Sequence, residues 1–173
     1  MRLKLDQVLD KMELGMKKLI QLKVNGKIEE VYIEPWWSLA RVLREQLGLT
    51  GAKIGCEAGN CGTCTILVDG KAVKSCIYLA MKAQGKDILT IEGLLGEGGT
   101  LHPLQQAFVD HFAFQCGYCT PGMIMAAKSL LDENPRPTEE QVKEGLRGNM
   151  CRCTGYTKIV EAVMAAADKM SKL

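Results

Sequence analysis

Cysteine sets the first limit on what this chain can become. Its eight cysteines fall into two groups of four: Cys56, Cys61, Cys64 and Cys76, then Cys116, Cys119, Cys151 and Cys153. The N-terminal stretch MRLKLDQVLDKMELGMKK has no apolar core and carries Asp6, Asp10 and Glu13, which argues against a secretory signal or a transit peptide. The expected compartment is therefore cytoplasmic. Thiols stay reduced there, and clustered cysteines bind metal or do redox chemistry more often than they form disulfides.

The first group opens with CEAGNCGTC, in which four and then two residues separate three cysteines; Cys76 follows after eleven more. This is the plant-type spacing of a [2Fe–2S] cluster. Such a cluster with four thiolates carries a charge of about −2 oxidised and −3 reduced, and it is stable only where backbone N–H groups converge on it. Gly55, Gly59 and Gly62 are expected to supply the left-handed conformations and the close approach that this wrapping needs. Structural zinc sites prefer paired knuckles, and only Cys61 and Cys64 clearly form one.

The second group is Cys116-Gly-Tyr-Cys119 with Cys151-Arg-Cys153. Its spacing suits zinc as well as a cluster. One feature favours the cluster: Cys119 and Cys153 each precede an expected helix, and both helix N-termini would aim partial positive charge at an anionic site. Ligation here would join the loops between helices, making the metal part of folding. With the cysteines divided four and four, His102 and His111 are not needed as ligands and read as ordinary surface or helix residues. Arg147 and Arg152 read as solvated side chains that could tune cluster charge.

The remaining sequence supplies a scaffold. Residues 18–34 alternate apolar and polar about Asn25-Gly26, and TILVDGKAVK does so about Asp69-Gly70; both are hairpin signals. Ser38 reads as the cap of a helix through Leu47 that Gly48 stops. Trp36 and Trp37 read as rim and packing residues, and DILTI (87–91) as a further strand. The run GLLGEGGTLHP (93–103) marks a boundary. Four short helices follow: one opened by Pro103, one with Pro121 at its first position, one capped by Thr138 with Gln141, and one over 156–170. The fold class is α+β, a small sheet domain over 18–93 followed by a small helical bundle over 94–173. Residues 1–17 read as an amphipathic helical extension bearing Leu5, Val8, Leu9, Met12 and Met16, a loosely docked leader or a partner contact. A net charge of +2 leaves no footprint for nucleic acid. The apolar runs are too short for a membrane span.

Three motifs, GCEAGNCGTCTILVDG, QCGYCTPGMI and GNMCRCTGY, resemble the iron–sulfur subunit of the molybdenum hydroxylases, the xanthine oxidase family. The resemblance extends over residues 18–170. It implies an N-terminal β-grasp ferredoxin-like domain and a C-terminal four-helix bundle domain, each with one [2Fe–2S] cluster. It also implies partners: a large subunit holding a molybdenum–pterin cofactor in dinucleotide form and a medium subunit holding FAD. Gln115 and Cys153 match family positions that touch the pterin, which places the second cluster nearer molybdenum and the first nearer FAD. The expected function is electron transfer, with no bond made in the substrate by this chain. The alternatives are a free two-cluster ferredoxin and a zinc-stapled interaction domain. The near-neutral charge favours a permanent subunit over a freely diffusing carrier.

Overall fold

The structure, a computed structural model, describes residues 17–172. All but Lys17 of the expected N-terminal extension lies outside the described residues.

Two left-handed turns organise the sheet. Asn25 and Gly26 sit at φ 51° and 79°, and Asp69 and Gly70 at φ 51° and 78°. A type I′ turn requires such a pair of positive φ values, and Asn, Asp and Gly adopt them with least strain. The first turn joins β1 (Lys18–Val24) to β2 (Lys27–Ile33), and the second joins β3 (Thr65–Val68) to β4 (Lys71–Lys74). A short strand, β5 (Asp87–Leu89), runs parallel to β1 and antiparallel to β3, giving the order β2-β1-β5-β3-β4. β5 stops before the expected residue 91. Thr90 leaves the ladder there and donates its N–H to Asn25 Oδ1 at 2.9 Å.

Alternation fixes which face of the hairpin packs. Ile20, Leu22 and Val24 of β1 and Val31 and Ile33 of β2 are buried together. Ser38 caps the next element, accepting from the Arg41 N–H at 3.3 Å. The expected helix is only partly α. After α1 (Leu39–Arg41) the chain widens into a π-helical turn (Val42–Gln46), closed by the Leu47 N–H on the Val42 carbonyl at 3.2 Å. Leu39, Val42 and Leu43 are all fully buried in this arrangement, and Gly48 at φ 68° ends it. Trp37 packs into the same core, while Trp36 lies exposed at its rim.

β3 is buried on both faces. Ile66 and Val68 join the core formed with β1, β2 and α1, whereas Leu67 joins a second core built by the helices. Those helices are α2 (Pro103–Asp110), α3 (Thr120–Glu133), α4 (Glu139–Leu146) and α5 (Thr157–Met170). α3 lies against β3 and β4, α2 packs on α5 and α3, and α4 packs on α3 and α5. Phe108, Met123, Met125, Ile159 and Val163 are completely or almost completely buried among them. Thr138 and Gln141 form the expected capping box. Pro121 is at the second helical position rather than the first, because Thr120 is already helical and Cys119 occupies the cap. The architecture is α+β: a mixed five-stranded sheet and a set of helices packed on one of its faces.

α3 approaches the first cysteine loop so closely that Gly122 has no room for a side chain. A Cβ there would collide with the Gly62 carbonyl oxygen and meet the Thr63 backbone at 3.1 Å. Gly122→Ala is therefore expected to destabilise the protein by about 1–3 kcal/mol. Gly145→Ala faces only the flexible side chain of Leu130 and gains helix propensity, so its effect should stay within about 0.5 kcal/mol. Urea unfolding of the two variants checks the contrast.

Candidate metal centres

The second hairpin brings the first thiols together. Cys64 immediately precedes β3 and Cys76 follows β4 by two residues. The ladder that pairs Thr65 with Lys74 continues past the strand ends, where the Ser75 N–H and hydroxyl both donate to the Cys64 carbonyl at 3.3 and 2.6 Å. The register set at Asp69-Gly70 thus brings the Cys64 thiol close to Cys76. At the other end of the loop, the N–H groups of Ala58 and Cys61 both point at Cys56 Sγ, each at 3.4 Å. These donors, that of Cys61 foremost, hold the Cys56 thiol down to about 6. Burial pushes Cys76 the other way, up to about 11.

The loop's glycines divide their work differently from the expectation. Gly59 and Gly62 take the left-handed conformation, at φ 74° and 71°. Gly55 does not; it supplies space, since a Cβ there would lie 3.1 Å from Cys61 Sγ and 3.0 Å from Thr63 Oγ1. The remaining left-handed residue of the loop is Glu57, at φ 51°.

The second group is assembled from two inter-helix loops. Cys119 caps α3, with Cys116 just before it, and Cys151 and Cys153 lie between α4 and α5. Cys153 Sγ is 3.6 Å from Cys116 Sγ, and Cys119 neighbours Cys151. Burial, reinforced by Cys151, pushes Cys119 up to about 12. Burial also acts to raise Cys151, but the Thr154 hydroxyl, which donates to its sulfur at 3.0 Å, and the N–H groups of Cys153 and Thr154 outweigh it, and Cys151 ends below the usual thiol value. The Cys151 N–H donates to the Tyr156 hydroxyl at 2.9 Å.

Both groups share one donor pattern. Cys116 meets Cys153, and Cys56 neighbours Cys61, Cys64 neighbours Cys76 and Cys119 neighbours Cys151. Among the described residues, no three His, Cys, Asp or Glu side chains gather to hold a single ion. A [2Fe–2S] cluster with four cysteines takes two thiolates on each iron. All-thiol donors in two pairs, with backbone and hydroxyl donors aimed at the sulfurs, fit that group in each loop.

The two loops meet across a seam. The Met150 N–H donates to the Cys61 carbonyl at 2.8 Å. Asn149 Nδ2 donates to the Gly62 carbonyl at 2.9 Å and to Thr65 Oγ1 at 3.1 Å. The Tyr118 hydroxyl donates to the Ile54 carbonyl at 2.7 Å. A cleft of about 290 Å³ is lined by Cys56 and Cys61 from the first group and by all four cysteines of the second. The second group is graded in exposure: Cys151 is buried and Cys119 half-buried, while Gln115, Cys116 and Cys153 are exposed. His102 serves as a helix cap, its Nδ1 accepting from the Leu104 N–H at 3.2 Å, and His111 ends the same helix. Arg147 pairs with Glu144 at 3.3 Å, and Arg152 lies exposed on the cleft wall. Sequence reasoning did not single out Lys74, Tyr118, Asn149, Thr154 or Tyr156. Asn149, Thr154 and Tyr156 lie inside the motif GNMCRCTGY and could have been flagged there.

Family comparison agrees with this geometry. Residues 22–90 match the 2Fe-2S iron-sulfur cluster binding domain and residues 90–164 match the [2Fe-2S] binding domain, which defines a class with two successive cluster-binding modules. The chain is 52% identical to the nicotine 6-hydroxylase small subunit of Paenarthrobacter nicotinovorans over 87% of its own length and 90% of the relative's. It is 47% identical to the nicotinate dehydrogenase small FeS subunit of Eubacterium barkeri, over 88% and 97%. Among solved structures it superposes on a chain of quinoline 2-oxidoreductase from Pseudomonas putida 86 with a TM-score of 0.87 and 48% identity, covering 91% of this chain and 98% of that one. The aldehyde oxidoreductase of Desulfovibrio desulfuricans matches with a TM-score of 0.85 and 45% identity, although the match takes up only 17% of that longer chain. The chain belongs to the iron–sulfur small-subunit family of the molybdenum hydroxylases.

The thiols' spread supports a direct check. In the metal-free chain under native conditions at neutral pH, iodoacetamide should alkylate Cys56 ahead of Cys119, because the thiolate is the nucleophile. Peptide mapping over time reads the order. Equal rates would mean that the N–H groups are not held at Cys56 before metal arrives.

Proposed function

We propose that this chain carries electrons between a molybdenum–pterin site on a large subunit and FAD on a medium subunit of a molybdenum hydroxylase. The observation that carries this reading is the pair of four-cysteine loops that meet at one cleft, lined by Cys56 and Cys61 of the first and all four of the second, and joined by the hydrogen bond from Met150 N–H to the Cys61 carbonyl. Cys56, Cys61, Cys64 and Cys76 are assigned to the first [2Fe–2S] cluster, and Cys116, Cys119, Cys151 and Cys153 to the second. When bound, each cluster accepts and releases a single electron. The chain itself holds the ligands, directs N–H groups at sulfur and keeps the two loops in contact. Such outer donors tune an iron–sulfur potential as much as the ligands do.

Gln115 and Cys153 are assigned as the contacts to the pterin, in its dinucleotide form. Their exposure, with that of Cys116, supports the second site as the end that meets the large subunit. Large apolar side chains surround Gln115 in the sequence: Phe112 is 80% exposed, Phe114 41% and Tyr118 46%. Exposed aromatics of this kind suit a surface covered by a permanent partner more than the surface of a free carrier. The first site, on the sheet side, would then exchange electrons with FAD. We also infer two domains, a β-grasp ferredoxin-like domain over 18–93 and a four-helix bundle domain over 94–173, a division supported by two family matches that meet at residue 90. Eight cysteines assigned to metal and none to a disulfide suit a reducing, cytoplasmic location.

Metal analysis of the complex purified from its own source tests the reading. About four irons per chain, with molybdenum and flavin in a larger particle, is the expected result. Iron without molybdenum in a lone small protein would mean a free carrier, and zinc in place of iron would overturn both. In the same complex, Cys151→Ala should lower the count towards about two irons per chain while leaving the first cluster's visible absorption in place.

A further inference from the structure

Lys74 is a half-buried cation with no anion of its own. Its ammonium donates to three neutral oxygens, the Gly148 carbonyl at 2.5 Å, Asn149 Oδ1 at 3.0 Å and Thr65 Oγ1 at 3.3 Å. Five other lysines, Lys23, Lys86, Lys128, Lys143 and Lys158, pair with carboxylates. Among the described residues, Lys74 joins no ion pair. Withdrawing a cation from water without a carboxylate partner is costly, so its position calls for another source of negative charge.

The surroundings name that source. Lys74 pairs across the ladder with Thr65, the neighbour of Cys64, and precedes Cys76 by two residues. A Cβ at Gly62, the neighbour of Cys61, would sit 2.7 Å from its Nζ. The ammonium therefore stands against the first ligand loop while bonding across the seam to residues just before Cys151.

We propose that Lys74 raises the reduction potential of the first cluster relative to the second, so that electrons settle preferentially on the first site. The inference rests on the reading that these cysteines hold [2Fe–2S] clusters. Its physics is short-range Coulomb attraction: one added electron makes the cluster more negative, and a nearby fixed cation stabilises that state more than the oxidised one. Lys74 touches neither substrate nor iron; it acts as a tuning residue through the loop it faces.

EPR-monitored redox titration of the purified complex decides the matter, with Lys74→Gln, Lys74→Met and Lys74→Arg beside the natural protein. In the glutamine variant the electron distribution between the sites should shift roughly tenfold away from the first cluster, which is about 59 mV for a one-electron couple, with the second potential moving less. Arginine, which keeps the charge, should restore most of the difference. Should the glutamine side chain prevent assembly, the methionine variant serves in the same titration. Unmoved potentials in a fully loaded neutral variant would overturn the proposal, as would an arginine variant displaced as far as the neutral ones. Natural protein without two distinct [2Fe–2S] signals would instead remove the cluster reading itself, and this proposal with it.

Discussion

The side chain of Asn149 crosses the seam and donates to the Gly62 carbonyl and the Thr65 hydroxyl, while Lys74 donates back to Asn149 and Gly148. Asn149 is 5% exposed, and a buried amide that lost these partners would forfeit about 1–3 kcal/mol. The network exists only because backbone approaches backbone here. Gly62 faces Gly148 and Asn149 on one side and the backbone of Gly122 on another. Each loop thus supplies part of the wall around the other. A shift of α3 away from the sheet would open both loops together.

The same geometry explains why the thiols differ so widely. Where loop amides converge on a sulfur, as at Cys56, the thiolate is favoured; where the sulfur is tucked beneath helices, as at Cys119, the proton is retained. Metal ligation requires thiolates and so releases protons.

Much of this was legible from local signals. Asn25-Gly26 and Asp69-Gly70 announced both hairpins, Ser38 and Thr138 announced caps, and the cysteine spacing announced the chemistry, because each depends on a few adjacent residues. What escaped depended on residues distant in the chain. β5 ends early because Thr90 bonds Asn25, and α1 opens into a wide turn whose Leu39, Val42 and Leu43 all reach one core. Gly55 was expected to bend the loop and instead makes room for Cys61 and Thr63. Spacing alone could not separate zinc from a cluster in the second group, and the placement of Cys116 beside Cys153 is visible only in three dimensions. Lys74 carried no signal at all, since a lysine at a strand end reads as a solvated side chain.

β3 contributes Ile66 and Val68 to one core and Leu67 to the other. Four consecutive buried residues are therefore held in common by the two halves, and separating them would expose Leu67 on the sheet side and Met123 and Ala127 on the helical side. The shared strand ties the two halves together instead of leaving them two beads on a string. Loss of order around either set of cysteines therefore reaches the strand that also leads to the other.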